Sequence, residues 1–341
     1  MNNLPFRQPG CGQFFRGNLH THSNQSDGGM SPEQVCAAYR QQGYDFIALT
    51  DHFEEEFGFP ISDTTGSREE GFTTILGAEL HAPALANGQV WHILACGLPL
   101  DFGVRKDGET GPEIAQRALD AGAFVGLAHP AWYGATVEDL QSIPGAHAIE
   151  AYNEVCGALN DKPESWFHID QLLSNGRRVS AFAADDAHFR DFASLPDPVL
   201  EGEGKEEFVD ALKATASAPD GSGSGDTYPA GFSAWVWVQA ERLEPDLLVE
   251  SLKAGRYYSS QGPLIHDIAV SEDKAELTVV TSPAVSVYVT GNPGVFRFGA
   301  NHAKQITRST FPITGHHGSY CRVTVVDSAG KRAWSNPIWL D

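Results

Sequence analysis

The chain has 341 residues, 41% of them hydrophobic, and a formal net charge of −21. Its length exceeds the ~250–300 residues at which a single core usually stops growing, so we expect one large domain and one small one. The apolar content excludes wholesale disorder, and the acidic balance argues against a protein that wraps duplex nucleic acid, which needs a basic surface.

The acidic total mainly indicates solubility. A cluster of divalent cations would reverse the field locally, so a phosphate substrate stays open. Five cysteines are scattered without a CxxC pair, which favours free thiols in a reducing compartment. Residues 1–8 contain no apolar signal-peptide core, and no apolar stretch reaches the roughly 18 residues of a membrane span. We therefore expect a cytoplasmic protein without a membrane partner.

From Gly17 to about Gly262, short apolar segments alternate with amphipathic ones. Ser31, Pro32 and Glu33 begin a helix as a capping hydroxyl, a first-turn proline and an acid near the positive helix end. Further helices are predicted at 112–121, 164–175 and 245–254, and strands at 46–49, 124–127, 148–151, 179–183, 234–238 and 257–258. The alternation predicts a parallel α/β sheet, either open or closed as a barrel.

Residues 196–229 interrupt this alternation with prolines, an acidic run and a Gly/Ser tract. They predict a surface loop, which could act as a lid because it follows a candidate site motif. Beyond His266 only strand patterns remain, at 275–280, 285–289, 320–326 and 333–340. The sequence therefore predicts a first domain over residues 1–265 and a C-terminal β-sandwich-like domain over residues 266–341.

The histidine pair His20 and His22 is the first candidate for a ligand set. On a strand, residues two apart face the same side, so both imidazoles could bind one metal ion. Alone the pair is weak evidence, because a polar strand face explains many such pairs. Asp27 follows in a Ser-Asp-Gly-Gly turn, where turn chemistry by itself accounts for an aspartate.

More candidates lie near the ends of predicted strands. Asp51 and His52 follow the strand at 46–49 directly, where a βα loop would begin and where parallel folds place their active sites. The others are Glu79, His129, Asp186 and His188, together with His92, a polar residue inside an otherwise apolar strand. All are residue types that bind hard or borderline cations, and their common placement predicts a metal centre. Of the remaining histidines, His81 could face the site, whereas His147 and His168 are expected to be structural or exposed.

In their order these motifs resemble the PHP (polymerase and histidinol phosphatase) superfamily. The matching segments are His20-Thr21-His22, Ser26-Asp27-Gly28, Thr50-Asp51-His52, Glu79, His92, His129-Pro130 and Asp186-Ala187-His188. Residues 252–263 are similar to the CehA/McbA-like branch of two-domain metallohydrolases, which tends to carry a β-rich module. The resemblance implies an α/β fold, a distorted, TIM-like (β/α)7 barrel with a small C-terminal all-β domain, and two or three divalent metal ions (Mn, Fe or Zn).

The resemblance also implies roles for individual residues. His20, His22, Glu79 and Asp186 would hold one metal, and Glu79, His92 and His129 a second, with Glu79 bridging. Asp27, His52 and His188 would form a third metal site or a substrate phosphate site. Two departures stand out: Ala184-Asp185 replaces the Gly-Ser of many relatives, and Asp27 stands where some trinuclear members use a nearby histidine.

Two divalent metals that share a water can lower its pKa enough to supply hydroxide near neutral pH. We expect hydrolysis of a small-molecule phosphate ester, with His188 or Arg190 neutralising charge and His52 or Asp51 orienting the water or protonating the leaving group. One alternative is a carboxylester, carbamate or amide hydrolase on the same centre. Another is a non-catalytic metal-binding protein whose β domain binds a glycan or a protein. The sequence leaves the substrate, the metal and the oligomeric state open.

Overall fold

The structure is a computed structural model that describes residues 12–189, 231–291, 296–300, 305–314 and 319–340. The predicted loop at 196–229 and Arg190 lie outside the described residues. None of the described helices has both the length and the apolar character that crossing a membrane requires.

The first part of the chain alternates strands and helices. Its strands are β1 (Gln13–Asn18), β2 (Phe46–Leu49), β3 (His52–Phe53), β4 (Thr73–Ala82), β5 (Trp91–Cys96), β6 (Phe124–Leu127), β7 (Ala148–Asn153), β8 (Ser180–Ala184), β9 (Trp235–Ala240) and β10 (Tyr257–Ser260). Its helices are α1 (Pro32–Gln41), α2 (Gly111–Asp120), α3 (Pro130–Tyr133), α4 (Val137–Gln141), α5 (Glu154–Asn160), α6 (Trp166–Ser174) and α7 (Pro245–Lys253). Two single-turn 3₁₀ helices, Glu55–Phe57 and Thr65–Ser67, follow β3.

The described elements after β10 are all strands. They are β11 (Ile265–Val270), β12 (Glu276–Ala284), β13 (Ser286–Gly291), β14 (Phe296–Ala300), β15 (Ile306–Pro312), β16 (Tyr320–Val326), β17 (Arg332–Ser335) and β18 (Ile338–Trp339).

Helix α1 begins as its sequence predicts. The Ser31 hydroxyl accepts a hydrogen bond from the Gln34 amide, and the Gln34 side chain accepts one from the Ser31 amide. This reciprocal capping satisfies two backbone donors that the first helical turn leaves without partners. The helix packs Val35 and Tyr39 against Ile47 of β2.

The sheet of the first part is mixed, in the order β9-β1-β2-β4-β5-β6-β7-β8. Strand β1 pairs in parallel with β2, β2 with β4, β6 with β7 and β7 with β8. The predicted parallel sheet also contains antiparallel strands, because β5 runs antiparallel to β4 and β6, β9 to β1, and β10 to β9. A short connection joins β4 to β5, and an antiparallel pair needs no crossover helix.

One apolar cluster collects side chains from nearly every strand of this sheet. Phe15 of β1, Phe46 of β2, Phe124 of β6, Phe182 of β8 and Val236 of β9 belong to it, and helix α7 adds leucines. The alternate residues of β2, β5 and β6 pack outward against α1 and α2. Burial on both faces explains why these strands are apolar runs without polar alternation. The backbone also bridges Thr21, after β1, to Ala187, after β8, in parallel.

The C-terminal strands form two facing sheets. Strands β14, β13, β16 and β17 continue the large sheet through β10, whereas β11, β12 and β15 form a separate three-stranded sheet. Ile268 and Leu277 from the small sheet share one apolar cluster with Val289 and Val323 from the large one. Two sheets around one core agree with the predicted sandwich-like module. The division of the chain at residue 265 stays our proposal, because β10 and β17 pair directly.

Asn336 is one of the residues that connect the β module to the rest of the protein. The Asn336 side chain accepts a hydrogen bond from the Ala181 amide at 2.8 Å and donates to the Gly255 and Tyr257 carbonyls, each at 3.0 Å. Asn336 is buried, so these backbone groups have no ready replacement by water.

We expect Asn336→Ala to lower the free energy of unfolding by about 2–4 kcal/mol, because several buried backbone groups lose their partner at ~1–3 kcal/mol each. Urea denaturation would measure the change, with the exposed His266→Ala in the same module as control. Metal content should stay at the wild-type level. Equal unfolding free energies for the two variants would show that Asn336 does not hold the module in place.

Candidate metal centre

Residues 20–22 and 186–188 lie side by side, just after the ends of β1 and β8. The His22 amide donates to the Ala187 carbonyl, and the Asp186 amide donates to the His20 carbonyl, each at 2.9 Å. Strand β1 ends at Asn18, two residues before His20, so the prediction that the histidine pair lies on a strand is wrong. The chain nevertheless stays extended, and both imidazoles reach the same cluster.

Glu79 and His92 join this cluster from positions within strands. Glu79 lies inside β4, which continues to Ala82. His92 is the second residue of the antiparallel β5 and pairs with His81. Because β5 runs in the opposite direction, its beginning lies at the edge where parallel strands end. Residues two apart share a strand face, so Glu79 and His81 both point to the site.

The Glu79 carboxylate is the centre of the cluster and is completely buried. Six imidazoles have a nitrogen within 3.7 Å of its oxygens: His92 (2.9 Å) and His129 (3.2 Å) at Oε1, and His52 (2.8 Å), His81 (3.4 Å), His20 (3.6 Å) and His22 (3.7 Å) at Oε2. A carboxylate with imidazoles around both oxygens has the form of a bridge between cations.

Two further carboxylates complete the arrangement. Asp186 Oδ1 lies 2.9 Å from His22 Nε2 and 3.2 Å from His20 Nε2. Asp27 Oδ1 lies 3.2 Å from His188 Nε2 and 3.4 Å from His52 Nε2. The structure thus brings together all nine predicted ligands, His20, His22, Asp27, His52, Glu79, His92, His129, Asp186 and His188.

Five groups of potential ligand atoms occur among the described residues, each with its atoms within 4.8 Å of one another. They are His20/His22/Glu79, His20/His129/Asp186, Glu79/His92/His129, His22/Asp27/His52/His188 and His52/Glu79/His81. The groups share Glu79 and several histidines, so they describe one continuous centre and not isolated sites.

The protonation of His20 indicates that a cation fits here. Its Nδ1 lies 3.0 Å from Glu150 Oε1, and a carboxylate accepts only, so the ring proton is on Nδ1. Nε2 faces Asp186 and Glu79 and has no hydrogen-bond partner. Burial would lower the pKa of His20, but Asp186, Glu150 and Glu79 raise it well above its ordinary value, so these carboxylates favour a positive charge at this position. A cation bound at Nε2 of the neutral ring would supply that charge.

On the other side of the cluster, His188 also has one ring nitrogen held by an oxygen. Its Nδ1 donates to the Asp186 backbone carbonyl at 2.7 Å, which leaves Nε2 to face Asp27. An imidazole whose far nitrogen is held by a carbonyl or carboxylate is the usual form of a metal-binding histidine. The donor set of imidazoles and carboxylates suits Zn, Fe or Mn.

Burial and neighbouring charges set the ionisation of the site. Burial, together with His52 and His188, lowers the pKa of His22 to about 3, so this ring is neutral and free to bind a cation. Burial alone would raise the pKa of Glu79, but His92, His52 and His20 hold it well below its ordinary value. Burial would lower the pKa of His81, yet Glu54 and Glu79 raise it to about 9.

The centre is closed on one side and open on the other. The side chains of His20, His22 and Glu79 are inaccessible, whereas those of Asp27, His92 and His52 are 27%, 20% and 17% exposed. A substrate would therefore approach from the Asp27, His52 and His92 side. Strained backbone lies at the closed side, since His129 and Asp186 have φ angles of 21° and 57°.

Glu150 is a functional residue that the sequence reasoning missed. It is fully buried in β7, where it accepts hydrogen bonds from His20 Nδ1 and from the His129 amide at 2.9 Å. Asn153 donates to both Glu150 and Asp186, which joins these carboxylates. A glutamate inside the apolar segment at 148–151 was the available signal. Glu150 orients two ligands that come from different strands.

Asp51, predicted as a possible water-orienting group, contacts serines outside the ligand cluster. Its carboxylate is buried and accepts hydrogen bonds from the Ser23 amide and from the hydroxyls of Ser23, Ser26 and Ser62. These contacts fix the turn that carries Asp27, and Asp51 belongs to none of the five ligand groups. A catalytic role for Asp51 stays a prediction that this geometry does not favour.

Asp185, the departure from the Gly-Ser pattern, lies beside the centre and faces away from it. It accepts hydrogen bonds from the Tyr39 hydroxyl and from the Phe232, Ser233 and Ala234 amides, each at 2.8 Å. Burial raises its pKa to about 6, against these hydrogen bonds. Asp185 therefore anchors the backbone that leads into β9.

Two histidines outside the cluster lie as expected. His147 precedes β7, where its Nδ1 accepts from the Val125 amide and its ring lies against Phe124. His168 contacts the Ala135 carbonyl. Arg190, the predicted anion contact, lies outside the described residues.

Comparisons with known proteins show what the chain is similar to. Solved structures with a similar fold include a two-domain protein from Bacteroides vulgatus that contains a predicted PHP-like metal-dependent phosphoesterase, with 17% identity, a TM-score of 0.50, and 93% of this chain and 92% of that chain covered. A weaker likeness is a candidate metal-dependent phosphoesterase from Bifidobacterium adolescentis, with 16% identity, a TM-score of 0.37, and 58% of this chain and 95% of that chain covered. Another is a sulfate-bound amidohydrolase from Chromobacterium violaceum, with 17% identity, a TM-score of 0.36, and 57% of this chain and 96% of that chain covered. No curated protein matches the sequence.

The family model for the PHP domain matches residues 18–186. This segment contains eight of the nine predicted ligands, from His20 to Asp186, and His188 follows it by two residues. Residues 18–186 of the chain are thus recognised as a PHP domain.

Proposed function

We propose that the protein is a metal-dependent hydrolase that cleaves a small-molecule phosphate ester at a centre of two or three divalent cations (Mn, Fe or Zn). The position of Glu79 carries the proposal, because this buried carboxylate has imidazole nitrogens around both oxygens. The proposed cytoplasmic location is supported by four cysteines, Cys36, Cys96, Cys156 and Cys321, which are buried as free thiols.

His20, His22 and Asp186 would hold one cation together with Glu79, and His92 and His129 a second one at the other Glu79 oxygen. Asp27, His52 and His188 would hold a third cation or face the substrate phosphate. We also propose the barrel implied by the family, in which the chain after β1 and the chain after β8 meet at Thr21 and Ala187. The interior cluster shared by β1, β2 and β4 to β9 supports closure.

The bound cations would supply a Lewis acid and a nucleophile of lowered pKa from water. The protein positions these groups through Glu150, which orients His20 and the His129 backbone. His188, held by the Asp186 carbonyl, presents Nε2 to the open side. A phosphate ester presents several anionic oxygens, whereas a carbonyl group presents one neutral oxygen. A cluster with many adjacent cation positions therefore suits phosphate better.

Metal analysis followed by a substrate panel tests the proposal. We expect at least two equivalents of Mn, Fe or Zn per chain, and hydrolysis of aryl phosphates that chelation abolishes and metal restores. Aryl carboxylesters, carbamates and amides should react much more slowly. Less than one equivalent after reconstitution would refute the metal centre, and faster turnover of the carbon esters would refute the phosphoesterase assignment.

A further inference from the structure

A carboxylate–histidine pair, Glu54 and His81, lies next to the centre and outside the ligand pattern implied by the family. His81 Nδ1 lies 2.7 Å from Glu54 Oε1, and His81 Nε2 lies 2.8 Å from His52 Nδ1. His81 is 4% exposed, and it faces the site because it stands two residues after Glu79 on β4. Glu54 follows β3 directly. Side chains from two neighbouring strands thus form a row from Glu54 through His81 to His52.

The two nitrogens of His52 have different neighbours. Nε2 lies 3.4 Å from Asp27 Oδ1, in the ligand group that also contains His22 and His188. To bind a cation through Nε2, His52 must carry its proton on Nδ1. Two groups lie 2.8 Å from Nδ1, His81 Nε2 and Glu79 Oε2, and of these only His81 makes a contact with hydrogen-bond geometry. His81 is therefore the residue that holds the Nδ1 side of the His52 ring.

We propose that Glu54 and His81 position His52, so that its Nε2 binds a cation at the Asp27/His52/His188 position. Glu54 lies against His81 Nδ1 and His81 Nε2 lies against His52 Nδ1, so the two side chains hold the His52 ring with its Nε2 turned toward the cation position. His81 is a positioning residue in this scheme and not a ligand. The inference rests on the proposed function, because it requires that the centre binds cations.

The contacts on the two sides of the His81 ring are both short, 2.7 Å to Glu54 Oε1 and 2.8 Å to His52 Nδ1. The nitrogen–nitrogen distance of 2.8 Å is that of a hydrogen bond between the two rings.

The test is equilibrium dialysis of the full chain against Mn²⁺ and against Co²⁺ over a concentration series, with elemental analysis and the visible Co²⁺ spectrum. We expect His81→Ala to weaken one binding step by about 10–100-fold, the range for loss of a group that orients a ligand, and to leave the other steps unchanged. Asp27→Ala should weaken the same step. In the Asp27→Ala background, His81→Ala should have no further effect, because both changes act on one position.

Conservative variants separate positioning from direct binding. His81→Gln keeps an oxygen that can accept from His52 and should restore most of the lost affinity, and Glu54→Gln should resemble the wild type more than Glu54→Ala does. His168→Ala, a half-buried histidine outside the cluster, is the matched control. If His81→Ala does not fold, His81→Gln and the two Glu54 variants give the answer.

Three results would overturn the inference while the proposed function stands: unchanged cation binding in His81→Ala, loss of all binding steps together, or independent effects of the Asp27 and His81 changes. An Asp27→Ala variant with wild-type binding would also overturn it, since no cation would then depend on this position. A wild-type protein that binds no cation would instead refute the proposed function.

Discussion

Glu79→Gln should abolish most of the metal binding and lower kcat/KM by on the order of 10³-fold or more, beyond the 10²–10³-fold cost of removing one charge-stabilising donor. Glutamine has nearly the same shape as glutamate, so the fold should persist. It has one acceptor oxygen and no charge, whereas Glu79 offers an anionic oxygen to imidazoles on both sides. A neutral amide at the centre of a cation cluster leaves the remaining charges uncompensated.

Elemental analysis of the purified variant, before and after reconstitution, measures the effect, together with turnover of the ester used for the wild type. Glu250→Gln on the exposed face of α7 is the matched control, since it makes the same chemical change away from the centre. Wild-type metal stoichiometry and turnover in Glu79→Gln would contradict a bridging role for this carboxylate.

His188→Ala should lower kcat by on the order of 10²-fold or more, the scale of losing an acid–base or charge-stabilising group. Its Nε2 faces Asp27 at the open side of the centre, where a substrate would enter. His147→Ala, in the same α/β region, should leave kcat within a few-fold. The His147 ring contacts the Val125 amide at the beginning of β6, at the edge of the sheet opposite the centre.

Both variants should be assayed with metal content measured on the same samples, so that a loss of turnover can be separated from a loss of metal. The His147 change removes the side-chain acceptor of the Val125 amide and should lower the stability of the fold without affecting the chemistry. Equal reductions of kcat in the two variants would show that the active site lies elsewhere.

The agreement between sequence and structure has a physical basis in the first domain. Apolar segments such as residues 46–49 and 124–127 became strands with the predicted bounds, because such runs are stable only when buried on both faces. The capping signature at Ser31 likewise acts within one helical turn. Local signals of this kind can be read without knowledge of the fold.

Other features depended on contacts between distant segments. The direction of β5 is set by its pairing with β4 and β6, and an apolar run has the same appearance in either direction. Sequence reasoning selected His92 as a polar residue inside an apolar strand, without access to the direction of that strand. It also passed over Glu150, since a glutamate in an apolar strand gains meaning only when His20 and the His129 amide are seen beside it.

The sequence by itself determined which chemistry is available: the identity and order of nine histidines and carboxylates, and their association with apolar strands. Only the tertiary structure decided how these groups are used. It placed Glu79 at the centre, turned Asp51 toward the serines of the Asp27 turn, and put His81 between Glu54 and His52. The reason is that ligand identity is a property of single residues, whereas protonation and orientation depend on which buried partner lies within about 3 Å, and strand pairing supplies that partner from distant parts of the chain.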